Sequence, residues 1–84
     1  MSNREETIVR LVEKVLNLNI NTNFEENLID NGMDSVKVIQ LLVELEENFN
    51  IEFADEDLQM KYFVSVKEIL KLVSKKLNKG DDEK

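Results

Sequence analysis

The chain has 84 residues, 42% hydrophobic and 35% charged, with a formal net charge of −7 and no cysteine, histidine or proline. That length makes one domain, able to bury only about 60% of the surface its unfolded chain exposes. Without cysteine there is no disulfide or thiolate site, and without histidine the commonest general base and the commonest metal ligand are both missing.

Ser2-x-x-Glu5 has the form of a capping box. Ile8, Leu11, Val12, Val15 and Leu16 follow at helical spacing, which predicts a first helix over about 3–17 with one apolar stripe. Asn17, Asn19, Asn21 and Asn23 interrupt it, because asparagine competes with a helix for backbone hydrogen bonds. Residues 18–34 form a long connection, of the kind that is functional or disordered in a compact domain. Ile20, Phe24, Leu28 and Ile29 argue for order, since they can pin it to the core, and Phe24 to Leu28 has room for one helical turn.

A second helix is predicted over about 35–48. Its main inward stripe reads as Val36, Ile39, Leu42, Val43 and Phe49, widened by Val38, Leu41 and Leu45. A helix this apolar packs on more than one side, which makes it the expected central helix. Lys37, Gln40, Glu44 and Glu47 hold its less apolar arc, and Asn48 and Asn50 mark its end. Asp55-Glu56-Asp57 places acids in the first turn of a short third helix, about 56–62. Ser65-Val66-Lys67-Glu68 is a second capping box. It opens a fourth helix to about 77 with Val66, Ile69, Leu70, Val73 and Leu77 inward. Asn78 to Lys84 reads as a C-cap region and tail, which gives a folded domain over 1–78 and a disordered tail over 79–84. No run approaches the ~20 apolar residues of a membrane span, and Met1 to Glu6 holds no apolar signal core. The expected fold class is an all-α bundle of three long helices and one short one.

The charge is unevenly spread. Residues 25–57 hold eleven acids against Lys37, whereas residues 58–84 hold seven lysines against four acids. An acidic region of this kind steers basic partners and repels nucleic acid and anionic membrane.

Leu28-Ile29-Asp30-Asn31-Gly32-Met33-Asp34-Ser35-Val36 lies where loop turns into helix. Gly32 can take φ > 0 and turn the chain sharply. Asp34 and Ser35 are both good N-cap residues, and a carboxylate there suits the positive end of the helix dipole. The hydroxyl of Ser35 has two uses. It can accept a helix-end amide hydrogen bond, or it can carry an anionic group, because a helix N-terminus is a ready anion site. Position alone does not separate them. A calcium loop is rejected: with Gly32 as sixth residue, its third and twelfth positions are Ile29 and Val38, which cannot ligate. A Ser-His-Asp triad is impossible without histidine, and composition leaves a Ser-Lys pair open.

The same stretch resembles the attachment motif of acyl carrier and peptidyl carrier proteins, roughly Leu-x-x-x-Gly-x-Asp-Ser-Leu. The similarity continues through Glu44 to Phe53 and on to Val66, and covers nearly the whole chain. It implies a four-helix carrier bundle without catalysis of its own. It implies 4′-phosphopantetheine held as a phosphodiester on Ser35, a cargo thioester at the arm's end, and Asp34 and Gly32 in the attachment turn. Met33, Val36, Lys37, Gln40, Glu46 and Glu47 are the expected docking residues. The partners implied are a phosphopantetheinyl transferase, a cargo-loading ligase, adenylating enzyme or acyltransferase, and downstream synthases or a thioesterase. The expected state is a cytoplasmic monomer that binds no nucleic acid.

Several residues depart from the fatty-acid type. Lys37 and Gln40 stand where acids are frequent, Ala54 where proline is frequent, and residues 57–66 are about two longer. Phe63-x-Ser65-Val66 looks more like free-standing carriers of amino acids or specialised intermediates. Phe53, Leu58 and Glu44 are larger than usual and are expected to fill interhelical space. The reading is therefore a free-standing carrier of acyl, aminoacyl or peptidyl thioesters in a polyketide or nonribosomal-peptide type of pathway. A fatty-acid-synthesis carrier is the alternative, and a helical protein-interaction domain in which Ser35 only caps is the alternative of a different class.

Overall fold

The computed structural model describes residues 3–19 and 25–82, with side chains over 4–19 and 25–77. Three helices form where the periodicity placed them: α1 at Asn3–Leu16, α2 at Ser35–Phe49 and α3 at Val66–Asp82. No strand occurs among the described residues, and no helix there is long and apolar enough to cross a membrane. Ile8 and Val12 of α1, Leu41 and Leu45 of α2, and Val66, Ile69 and Val73 of α3 are fully buried, joined by Leu28 and Phe63 from the connections. Each such side chain contributes about 1.5–3 kcal/mol of transfer free energy, so apolar packing holds the helices together. α1 packs against both α2 and α3, which makes α1 the central helix in place of α2.

The inward face of α2 also differs from the expected one. Val38, Leu41, Leu42 and Leu45 are buried. Val36, Ile39 and Val43 are 62, 54 and 46% exposed, and Phe49 is half-buried. Both stripes of α2 are apolar enough to be buried, and only one of them meets α1.

The helix ends follow local chemistry. Asn17 and Asn50 close α1 and α2 at φ 58° and 56°, a left-handed conformation that asparagine tolerates better than most residues. Ser65 caps α3, its Oγ accepting from the Glu68 N–H at 3.2 Å. α3 continues about five residues past its predicted end, through Gly80. Glycine there costs about 1 kcal/mol relative to alanine, and the lysines before it favour helix. Ser2 of the first capping box, Ile20, Phe24 and residues 83–84 lie outside the described residues.

The short third helix is replaced by two 3-10 turns, Asp55–Asp57 and Met60–Phe63. Asp57 turns its side chain back to accept the Ala54 N–H at 2.7 Å. Leu58 then leaves the helical region at ψ 62°, and such turns rarely run beyond 3–4 residues.

Candidate functional site

The loop before α2 is built by hydrogen bonds and two core anchors. Asn27 Oδ1 accepts from the backbone N–H groups of Ile29 and Asp30 at 2.9 and 3.2 Å. Asn31 Nδ2 donates to Glu26 Oε2 and to the Asn27 carbonyl. The Asn31 and Met33 N–H groups both donate to the Leu28 carbonyl at 2.9 Å. Leu28 is fully buried, and its own N–H donates to the Val64 carbonyl at 2.7 Å. Ile29, expected to help pin the loop, is 41% exposed. Residues 25–28 form turn and coil and no helical turn.

Gly32 sits at φ 107°, where a Cβ would meet nothing within 4 Å. Its requirement is therefore one of backbone conformation alone. Met33, expected to touch partners, is 2% exposed and packs in the core. The turn at Gly32 directs the next side chain inward, where an apolar thioether gains by burial.

Asp34 is the N-cap of α2. Its backbone is extended, at φ −135° and ψ −174°, and its Oδ1 accepts from the Lys37 N–H at 2.9 Å while its carbonyl accepts from the Val38 N–H at 2.8 Å. Ser35 is thus the first helical residue and not the cap. Its side chain is exposed, and its hydroxyl takes part in none of the hydrogen bonds among the described residues. The capping role is already filled, so it no longer accounts for the serine. The hydroxyl stands at the positive end of a 15-residue helix, with the Ser35 and Val36 amides at its head, an arrangement suited to a phosphate. The residues present fit a phosphodiester on Ser35.

Beside Ser35 lies a groove of about 120 Å³ lined by Val38, Ile39, Leu58 and Met60. It is well short of the ~300 Å³ at which ligand pockets begin, so it can seat a few atoms of an arm and not enclose a cargo. Leu58 is 43% exposed and forms part of its rim. Glu44 is at the surface, paired with Lys14 at 3.2 Å. Neither fills interhelical space as expected; Phe53 does pack against the core.

The remaining expected docking residues divide. Val36, Gln40 and Glu47 are exposed, and Lys37 is half-buried. Glu46 is half-buried and structural, its Oε2 accepting the Phe53 N–H at 2.9 Å. Sequence reasoning placed Ile39 and Val43 inward, yet a signal for the opposite was present. If Ser35 must be exposed, residues four and eight positions on share its face.

Next to Leu58 in the chain, and facing away from the groove, Asp57 is buried and pairs with Lys76 at 2.6 Å. Burial pushes its carboxyl upward. The hydrogen bonds from Lys76 and the Ala54 N–H, with the charges of Lys76 and Lys75, outweigh this and hold it below the usual carboxylate value.

The phosphopantetheine attachment site family matches residues 6–78. An acyl carrier protein of Buchnera aphidicola subsp. Schizaphis graminum is 36% identical over 59 residues, covering 68% of this chain and 75% of that protein. A D-alanyl carrier protein of Streptococcus suis is 37% identical over 59 residues, 63% of this chain and 75% of its own. An acyl carrier protein of Phytoplasma mali is 32% identical over 65 residues, 77% and 71%.

Proposed function

Since the chain belongs to the phosphopantetheine attachment family, and so to proteins with a covalently bound 4′-phosphopantetheine, we propose that Ser35 is the attachment point and that the chain is a thioester carrier. The observation that carries this reading is the exposed, unbonded Ser35 hydroxyl on the first residue of α2, with Asp34 already capping the helix. In the attachment step Ser35 Oγ forms a bond to the phosphate that bears the pantetheine arm of coenzyme A. The pyrophosphate bond breaks, adenosine 3′,5′-bisphosphate leaves, and the hydroxyl proton goes to the transferase's base. The arm's thiol then supplies the thioester chemistry. This chain's residues hold the hydroxyl in place and present a surface, and partner enzymes catalyse.

The cargo is an aminoacyl, small acyl or peptidyl group in a specialised pathway. The likeness to D-alanyl carrier proteins supports an aminoacyl cargo, as does the small groove, because a polar group gains nothing from burial. A fatty acyl cargo is the second reading, favoured by the 36% identity to an acyl carrier protein. Partners dock on the exposed face of α2, with Val36, Ile39 and Val43 as apolar contacts and Lys37, Gln40 and Glu47 beside them. They are a phosphopantetheinyl transferase, a loading ligase or acyltransferase, and a downstream synthase or thioesterase. The chain acts as a cytoplasmic monomer, its carrier domain over 1–78 with α3 continuing beyond it to Asp82.

The test is intact mass after incubation with a phosphopantetheinyl transferase and coenzyme A. Wild type gains one phosphopantetheine. Ser35→Ala gains none and keeps its stability within about 0.5 kcal/mol, because the hydroxyl holds nothing. A modified Ser35→Ala protein refutes the assignment.

A further inference from the structure

Leu58 and Met60 form the wall of the groove that faces α2. From Ala54 to Gln59 every residue except Asp57 is exposed, so no buried apolar side chain fastens this stretch to the core. Asp57 fastens it instead. Its Oδ2 lies 2.6 Å from Lys76 Nζ on α3, the two side chains being 10 and 13% exposed. The same oxygen accepts the Ala54 N–H. Asp57 and Leu58 face different hollows. Leu58 lines the groove at Ser35, while Asp57 lines a second hollow of about 170 Å³ against α3, with Tyr62, Lys71 and Lys75 among its other walls. A hollow lies on each side of the segment, and Asp57 is its one buried side chain.

A buried ion pair is a weak source of stability, because desolvation offsets most of its attraction, but removing one partner leaves a buried charge uncompensated. Here the carboxylate has a way out. The segment that carries it is otherwise exposed, so release of the pair would let the carboxylate reach water.

We infer that Asp57 and Lys76 are positioning residues whose ion pair sets the closed position of residues 54–59, and through it the spacing of Leu58 from Ile39 across the groove beside Ser35. Neither side chain touches the hydroxyl. The functional consequence rests on Ser35 as attachment point; the hold on the segment does not.

Lys76→Met, in the full chain, removes the partner from outside the segment and keeps an apolar stem. Residue-resolved hydrogen exchange reads the Asp57 and Leu58 amides, which donate to the Ala54 and Asp55 carbonyls. They are expected to exchange about tenfold faster, while Val38 and Ile69 keep their wild-type rates. Lys76→Arg, which retains the charge, is expected to restore slow exchange. In arm transfer from coenzyme A, Lys76→Met should raise KM severalfold at unchanged kcat, since the docking surface and not the nucleophile has changed. Unchanged exchange at Asp57 and Leu58 overturns the inference. Uniform acceleration through α1 and α2 overturns it too, because the pair then holds the whole fold. Faster local exchange with unaltered transfer kinetics overturns the link to Ser35. If wild type itself accepts no arm, the reading of Ser35 fails and exchange alone judges the segment.

Discussion

Around Ser35, Leu28 and Met33 are buried and Asn27, Asn31 and Asp34 bond back onto the backbone; across the groove, residues 54–59 bury Asp57 alone. The two walls differ in what holds them. One has core anchors, a helix cap and a web of short-range bonds, and the other has one ion pair to α3 and a few local bonds. The hydroxyl is therefore fixed relative to the bundle, while the surface opposite it has fewer anchors. On the proposed carrier reading, a group that partners must find gains from a fixed attachment point, and a less anchored wall would let different cargoes be met.

Breaking the fixed side has the largest expected effect. Leu28→Ala removes a fully buried side chain from the turn's main anchor, and is expected to cost about 2–5 kcal/mol in denaturant unfolding. A loss below about 1 kcal/mol would mean that the hydrogen bonds alone hold the turn.

The soft side is expected to respond to acid, with a smaller effect. Asp57 faces Lys76 and Lys75 of α3, and Lys71, Glu68 and Tyr62 line the hollow beside it. Its folded pKa lies below the ordinary value. The pair's contribution is thus full above the unfolded carboxylate value near about 3.9 and is lost as pH falls through the lower folded value. Unfolding of wild type and Asp57→Asn across that range should show their stability difference narrow as pH drops. A difference independent of pH would show that charge is not what fastens the segment.

The smallest effect sharpens the comparison within α2. Val36→Ser and Ile39→Ser, on the exposed face, are expected to change stability by no more than about 0.5 kcal/mol. A large loss in either would restore the inward stripe read from the sequence.

What the sequence made legible was the periodic part. α1, α2 and the start of α3 lie within a residue or two of their predicted bounds, because one apolar residue per turn is enough to mark a helix. The face of α2 was not legible from apolar spacing, since Val36, Ile39 and Val43 are as apolar as Val38, Leu41 and Leu45. Hydrophobicity marks two candidate stripes, and contact with α1 chooses between them. Asp34 and Gly32 announced the turn by their chemistry, but Asp57 did not announce its partner. One lysine among the seven of the last third carries no local sign of being buried. The acids at Asp55, Glu56 and Asp57 imitate a helix start, and the ion pair turns the third of them inward.

The bond between the Leu28 N–H and the Val64 carbonyl joins residues 36 positions apart. Such a closure comes late in folding, after the intervening chain has been ordered. During synthesis, α1 and α2 emerge from the ribosome before Val64 does. The turn that presents Ser35 thus receives this tether only once the chain has been made through Val64. Until then the turn rests on its local bonds, so its full anchoring belongs to the folded bundle and not to the motif's own residues.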